Sequence, residues 1–393
     1  MNRYCFCFWF FYAARTAIGV LLQMEAHQYV YFDSAVTFLF AAGLVGRALI
    51  FGARSTGNSS QPVLRWILLY LGWSFITLLW TPAPLLFAGG KLLKVALEAG
   101  IVSALIAQGN IHEITSYSIR GFLCGAILAA SLYGFYPHDE QDRAGVEGGL
   151  DGYDISLMTG LAGVIAFIQW ETKPDMWRAI RAAVLAGGTM ILTYKSSIVA
   201  YGLAITPFAF RSGYRTLFKS LVAVGLLAWL VFPWVAPYLI PYFESEGYLT
   251  LTGRFFIWAN ALDFIAAKPI VGSGYDSAKV LLSDVGTFSP GHAHNEWLQN
   301  WMCLGLIGMI LLLLILGSFL KVAWRHRKLP VGQIGIGLIL FGLIRGISDP
   351  TPDLCPPIGL MLLLTAKMNA VPLAAANDSG EKMPRSITDA ATT

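Results

Sequence analysis

Uninterrupted apolar runs of about twenty residues recur along most of this chain, and no other feature constrains its fold as strongly. The hydrocarbon core of a bilayer is ~30 Å thick, and a helix rising ~1.5 Å per residue crosses it in about 20 residues. Lipid offers no hydrogen bonds, so a span must satisfy its backbone internally, as a helix or a closed barrel. The runs are continuous rather than alternating in polarity, which selects helices. Composition agrees. Hydrophobic residues make up 56% of the 393 positions, charged residues 13%, and mean hydropathy is +0.61. A typical soluble domain carries about 25% charged residues. The expected fold class is all-α: a polytopic membrane protein with about 12 transmembrane helices.

The expected spans begin at roughly 4–22, 29–52, 63–81, 84–107, 115–136, 154–170, 177–194 and 196–211, and continue at roughly 217–240, 297–320, 331–347 and 355–371. Arg3 precedes the first run with no small-residue cleavage site after it, so the run reads as a span and not a removed signal. Residues 1–371 form one domain, and the polar 372–393 read as a disordered cytoplasmic tail. No internal repeat is evident.

Loop charge sets the orientation. With the N-terminus inside, inner loops hold Arg54 and Arg65, then Lys173, Arg178 and Arg181, then Arg211, Arg215 and Lys219, then Lys321, Arg325, Arg327 and Lys328. The outer loop 137–153 is acidic, with Asp139, Glu140, Asp142, Glu147 and Asp151 against Arg143. The loop near 108–114 carries no Lys or Arg and is silent. The net charge of +4 and the lack of a basic, aromatic-interleaved stretch give no nucleic-acid signal. Cys5, Cys7, Cys124, Cys303 and Cys355 show neither zinc spacing nor a disulfide framework.

One connection is long. Residues 241–296 form a polar excursion on the outer side, and loops of that length are usually functional. Within it, GRFFIWANALDFIAA (253–267) predicts an amphipathic helix, with Phe256, Ala259, Leu262, Phe264 and Ala267 near helical spacing and Lys268-Pro269 ending it. It would lie on the membrane surface or on the bundle. Arg254 starts this helix, VGSGYDSA follows with Gly272 and Gly274, and GHAHNEW brings His292, His294, Asn295 and Glu296. The Gly-Ser-Gly pair lacks the third glycine of a dinucleotide fingerprint and reads as a tight turn. His292 and His294 with Glu296 nearby raise a metal reading, which lacks a third strong ligand. Arg254 also admits a pairing with Asp263 or a lipid phosphate.

His294-Asn295 is followed by nine residues and then Gly305-Leu306-Ile307-Gly308. This resembles the signature of the O-antigen ligase and polysaccharide polymerase superfamily: His with Asn, Ser or Gln, a nine-residue gap, and Gly-x-x-Gly opening the next membrane helix. Gly253-Arg254, Trp258, Pro269 and Gly272-Ser273-Gly274 are similar to that superfamily's large periplasmic loop. LLWTPAP at 78–84 resembles its early Leu-Trp-Ser-Pro stretch, and Arg143-Ala144-Gly145 its Arg-x-Gly in a shorter outer loop. One departure is TYKSSIVA, which places Lys195 where members often have Arg. Lysine keeps the charge without the bidentate fork that grips phosphate.

The resemblance implies a multi-pass protein of the bacterial inner membrane with its active site facing the periplasm. The implied donor is a glycan on undecaprenyl diphosphate; the implied acceptor is a glycan or lipid A-core hydroxyl. Other polysaccharide assembly proteins join the lipid bilayer as implied partners. The donor is already activated, so the reaction needs no nucleotide, metal or other cofactor. Charge grows on the departing diphosphate, and fixed cations aimed at it stabilise the transition state. His294 and Arg254 are the implied catalytic pair, with His294 as general base or as orienter of the acceptor. Lys195, Arg143, Asn295, Lys91 and Arg345 are the implied substrate-binding set. Lys195 at a span edge also fits snorkelling.

Charges inside spans form a second group. Lys91, Lys94 and Glu98 fall in the fourth span, where Glu98 is spaced to pair with Lys94. Arg345, Asp349 and Asp353 surround the outer end of the eleventh, and Arg15 lies in the first. Internal ion pairing competes with substrate contact for each. Two rival functions remain on sequence grounds, a transporter or flippase of lipid-linked oligosaccharide and a non-catalytic assembly subunit. A flippase predicts polar groups at the bilayer midplane, whereas these candidates gather at one face. Lys195 tilts the reading toward exopolysaccharide over lipopolysaccharide.

Overall fold

A computed structural model describes residues 1–22, 26–51, 61–135, 152–191, 195–209, 254–283, 291–348 and 357–371. Every expected apolar run among them holds a helix: α1 (Asn2–Leu21), α2 (Ala26–Phe51), α3 (Gln61–Thr77), α4 (Leu85–Gln108), α5 (Ile111–Phe135), α6 (Gly152–Thr172), α7 (Met176–Ile191) and α8 (Lys195–Ala209). Then come α9 (Arg254–Ala267), the one-turn α10 (Ala278–Leu281), α11 (Glu296–Arg325), α12 (Pro330–Arg345) and α13 (Ile358–Asn369). No strand occurs among the described residues. The expected span at 217–240, the acidic loop with Arg143, Asp349, Asp353 and the tail 372–393 lie outside them.

Among the described residues, four stretches are long and apolar enough to cross a membrane: Tyr31–Leu49, Ile111–Leu132, Asp154–Thr172 and Glu296–Arg325. Five helices of 10–17 residues are apolar but shorter, over Pro62–Thr77, Ser196–Ala209, Phe256–Ala267, Pro330–Arg345 and Ile358–Asn369. Exposed Leu49, Leu79 and Leu86 are 81%, 84% and 93% accessible, a surface that only lipid or another protein would cover at low cost. The protein is therefore an all-helical, multi-pass membrane protein.

Lipid is as apolar as leucine, so close backbone approach and polar contacts hold such helices together. Both devices appear. Gly121 and Gly125 lie one turn apart on α5, where an added β-carbon would fall onto the carbonyl oxygens of Phe6 and Phe10 in α1. That spacing lets α1 and α5 pack in parallel, backbone against backbone. The polar device joins α1, α2 and α4. Arg15 Nη1 lies 3.0 Å from Glu98 Oε1 and 3.5 Å from Asp33 Oδ1, and Lys94 pairs with the other oxygen of Asp33. All four side chains are largely buried, with exposures between 6% and 19%. Asp33, which stood out in no sequence pattern, thus joins Lys94 to Arg15, and Arg15 in turn reaches Glu98. The outer face of α2 remains exposed at Tyr31, Phe38, Leu39 and Val45, so its inward anchors are Asp33, Thr37 and Leu44.

The helix expected after Gly253 forms as α9 and ends before Lys268-Pro269. Its buried face differs from the expected one. Ile257, Trp258, Ala261 and Ile265 are buried, while Phe256, Ala266 and Ala267 are exposed. Packing of α9 along α11 selects that stripe, which alanines and a shifted period had blurred.

Candidate functional site

The site is built on a break in α11. Gly305 takes φ 69° and ψ −170°, a conformation essentially reserved for glycine. The break frees backbone groups that must find partners away from water. The loop after α9 supplies them. Ser273 N donates to Met302 O at 2.8 Å and Gly274 N to Cys303 O at 2.8 Å, while Leu306 N donates to Pro269 O at 2.9 Å and Ile307 N to Ile270 O at 3.3 Å. The two chains come so close that a β-carbon on Gly272 would overlap Cys303 O, and one on Gly305 would overlap Ile270 O. Gly272 and Gly274 are also at positive φ, 71° and 106°.

Indole donors cover the remaining carbonyls. Trp73 Nε1 donates to Leu304 O at 2.9 Å, Trp80 Nε1 to Gly272 O at 3.2 Å, and Trp301 Nε1 to Pro269 O at 2.9 Å. Thr77 Oγ1 accepts from Tyr275 N at 3.1 Å, and Thr81 Oγ1 donates to Tyr275 O at 2.7 Å. The LLWTPAP stretch, the Gly-Ser-Gly turn and the Gly-x-x-Gly motif, scattered over 230 positions of sequence, therefore form one interlocked seat.

His294 stands immediately above the start of α11 with φ 46°, an uncommon value for a side chain that is not glycine. Its backbone is clamped on both sides. Trp258 Nε1 donates to Ala293 O at 3.0 Å, and Ala293 N donates to Gln299 Oε1 at 3.0 Å. The rings of His292 and His294 meet edge to face with centroids 4.0 Å apart. Arg254 opens α9 one turn before Trp258, on the same face of the helix, and is partly buried.

Asn295 is wholly buried and caps α11. Its Oδ1 accepts from Leu298 N at 2.9 Å and its Nδ2 donates to Ile347 O at 2.8 Å. Both ends of the amide are thus engaged by backbone. Glu296 N donates to Gly346 O at 2.6 Å, so the last turn of α12 abuts the first of α11. Arg345, also wholly buried, donates from Nε to Ser197 Oγ at 3.1 Å, and Ser197 Oγ lies 3.1 Å from Ser156 Oγ. These links bring the beginnings of α6, α8 and α11 to the end of α12.

Of the sequence-predicted residues, His294, Asn295, Arg254 and Arg345 gather at this end. Lys195 joins them by chain position, two residues before Ser197; its side chain, like Arg143, lies outside what is described. Lys91 stands apart. It pairs with Asp276 at 2.9 Å beside the Gly272–Gly274 turn, level with Cys303 and ~12 Å along α11 from Asn295. Trp80, Gln299, Ser197 and Ser156 were missed as supports; only Trp80 carried a sequence signal, through its motif. Among the described residues no group of three His, Cys, Asp or Glu is arranged to hold a metal. Helix N-termini converging with an arginine and a histidine favour an anion.

The fold and this end of it define a class, a multi-pass helical membrane protein with a histidine and cations at one face. Comparison narrows the class. The O-antigen ligase family model matches residues 182–313, which run from α7 through the seat into α11. A putative polysaccharide ligase of Rickettsia felis is 26% identical over 287 residues, covering 69% of this chain and 64% of that protein. The exopolysaccharide production protein ExoQ of Rhizobium meliloti is 26% identical over 319 residues, 70% of each. The O-antigen ligase of Pseudomonas aeruginosa is 27% identical over 168 residues, 42% of this chain and 39% of that one. The match thus spans about two thirds of the length of the first two relatives. These comparisons agree with the resemblance carried by His294-Asn295 and Gly305-x-x-Gly308: the chain is similar to the O-antigen ligase family and to proteins named polysaccharide ligase, ExoQ and O-antigen ligase.

Proposed function

We propose that this protein transfers a glycan from undecaprenyl diphosphate to an acceptor hydroxyl at the periplasmic face of a bacterial inner membrane, as a surface-polysaccharide ligase or polymerase. The observation that carries the proposal is the seat, which clamps His294 beside the arginine-bearing starts and ends of α9 and α12. About twelve spans, with 241–296 outside, put that end at the periplasm. The acceptor oxygen attacks the anomeric carbon while the bond from that carbon to the diphosphate breaks. His294 takes the acceptor proton, and Arg254 and Lys195 face the charge that grows on the leaving diphosphate. Each preorganised cation contributes on the order of a few kcal/mol there. Arg143, which lies outside the described residues, is a further substrate-binding residue in this reading, and the chemistry needs no metal. The flippase reading is not favoured, since relatives carry ligase and polysaccharide-production names and the polar residues gather at one end.

The test is complementation of a deletion strain with wild type, His294→Ala or Arg254→Ala at matched membrane levels. Both variants should lose polymer or glycolipid by 100-fold or more, on the order of one lost catalytic contact or greater, while carrier-linked glycan accumulates. Full activity from both variants would remove the assignment.

A further inference from the structure

Arg345 has two possible uses at this site, and its surroundings choose between them. A substrate-binding arginine presents its guanidinium to the space where substrate sits. Arg345 is 0% exposed and lies where three helices meet. A buried guanidinium must be hydrogen-bonded to be tolerated, and Arg has donors only. Its Nε–H is given to Ser197 Oγ, which leaves the Ser197 proton available for Ser156 Oγ, 3.1 Å away. Both hydroxyl oxygens can then turn toward the cation, so the chain of dipoles is mutually reinforcing.

The places this chain joins matter most. Ser197 is in the first turn of α8, two residues after Lys195. Ser156 is in the second turn of α6. The two residues after Arg345 offer their carbonyls to the start of α11, Gly346 O to Glu296 N at 2.6 Å and Ile347 O to Asn295 Nδ2 at 2.8 Å. His294 is the next residue before that start. The end of α12 therefore holds the helix bearing Lys195 with one grip and the histidine-bearing helix start with another.

We propose that Arg345 is a positioning residue: through Ser197 and Ser156 it sets the spacing between Lys195 and His294, and it does not contact the lipid-linked donor. This rests on the transferase reading. Its consequence is kinetic. Loosening the grip lets the leaving-group cation and the base drift apart, and displacements near 1 Å cost up to about a hundredfold in rate. Ground-state donor binding should change little.

The test is a double-mutant cycle. Wild type, Arg345→Lys, Ser197→Ala and the double variant are purified into lipid nanodiscs. Each is assayed with undecaprenyl-diphosphate-linked oligosaccharide from the producing strain, and rates are normalised to folded protein by melting curve. Each single variant should lower kcat about tenfold or more, with KM for the donor within about twofold. The double variant should be no worse than the poorer single variant by more than about threefold, because both changes cut one connection. A raised KM in Arg345→Lys with Ser197→Ala near wild type would make Arg345 a donor contact and overturn the proposal. So would losses that multiply, or rates that simply follow the folded fraction. If Arg345→Lys fails to fold, Ser197→Ala and Ser156→Ala decide alone: lowered kcat at constant KM supports the proposal, and wild-type kinetics overturn it. No transfer by the wild-type protein is a separate result that brings down the transferase reading and this inference with it.

Discussion

Asn295 illustrates how a recognisable residue can carry a different task from its neighbour. In sequence it is half of the His-Asn pair and reads as a substrate contact. In the fold its amide is spent on Leu298 N and Ile347 O, so it fixes the start of α11 for the histidine before it. Asn295→Ala would orphan a buried donor and a buried acceptor, at a cost of about 2 kcal/mol. Chemical or thermal unfolding in detergent should register that loss, and a change below about 0.5 kcal/mol would contradict the capping role. Gly305 is the stricter case. At φ 69° and ψ −170°, and with Ile270 O where a β-carbon would go, Gly305→Ala should leave little folded protein in the membrane. Normal yield and normal melting of that variant would mean the break in α11 is not as described. The glycine was visible in sequence as part of a motif. Its pairing with the segment 269–274 was not, because contact between residues about thirty positions apart is set by packing rather than by local pattern.

At the scale of elements, the network of Arg15, Asp33, Lys94 and Glu98 decides how α2 is held. Much of the rest of α2 faces outward, and beside the network its attachment is Leu44 and the ring contacts of Phe32 and Phe40 with α1. Breaking one member leaves a buried charge unmatched, which costs about 3–5 kcal/mol, whereas removing a matched pair costs far less. Arg15→Met should therefore destabilise more than Arg15→Met with Glu98→Met, and a double-mutant cycle read by melting in detergent checks the sign. A double variant less stable than Arg15→Met would contradict the expectation, and strictly additive losses would show the two side chains to be independent. The charges stood out in the apolar runs, and pairing was the expected alternative to substrate contact. Which charges pair followed from helix neighbours, and α1 and α4 are eighty-three positions apart at the contact. The face of α9 teaches the same lesson. Its existence and its end at Lys268-Pro269 were legible from propensity and proline, but its buried stripe came from the surface of α11 against which it rests.

For the whole molecule, loop charge predicts the acidic loop 137–153 outside and the loop with Arg54 and Arg65 inside. In a chain freed of its cysteines, Glu140→Cys should label with an impermeant maleimide in cells whose outer membrane has been opened, and Ser59→Cys only after lysis. The reverse pattern would invert the protein and put His294 on the cytoplasmic side, away from a periplasmic donor. The end of α12 meets the starts of α8 and α11, so these ends share one side of the membrane in either orientation, and the labelling decides which side that is.

The sequence by itself determined that this chain is helical and membrane-embedded, because uninterrupted apolar runs admit no other solution in lipid. It also carried the resemblance to O-antigen ligases, because glycine at a break and histidine before a helix are local demands that show as spacing. Tertiary structure decided which of the singled-out residues are buried and what they bond to. Arg345 and Asn295 are buried anchors, Lys91 belongs to Asp276, and three motifs close into one seat. Those assignments depend on where buried polar groups find their partners, and in a bundle the partners are contributed by whichever helix happens to pack alongside.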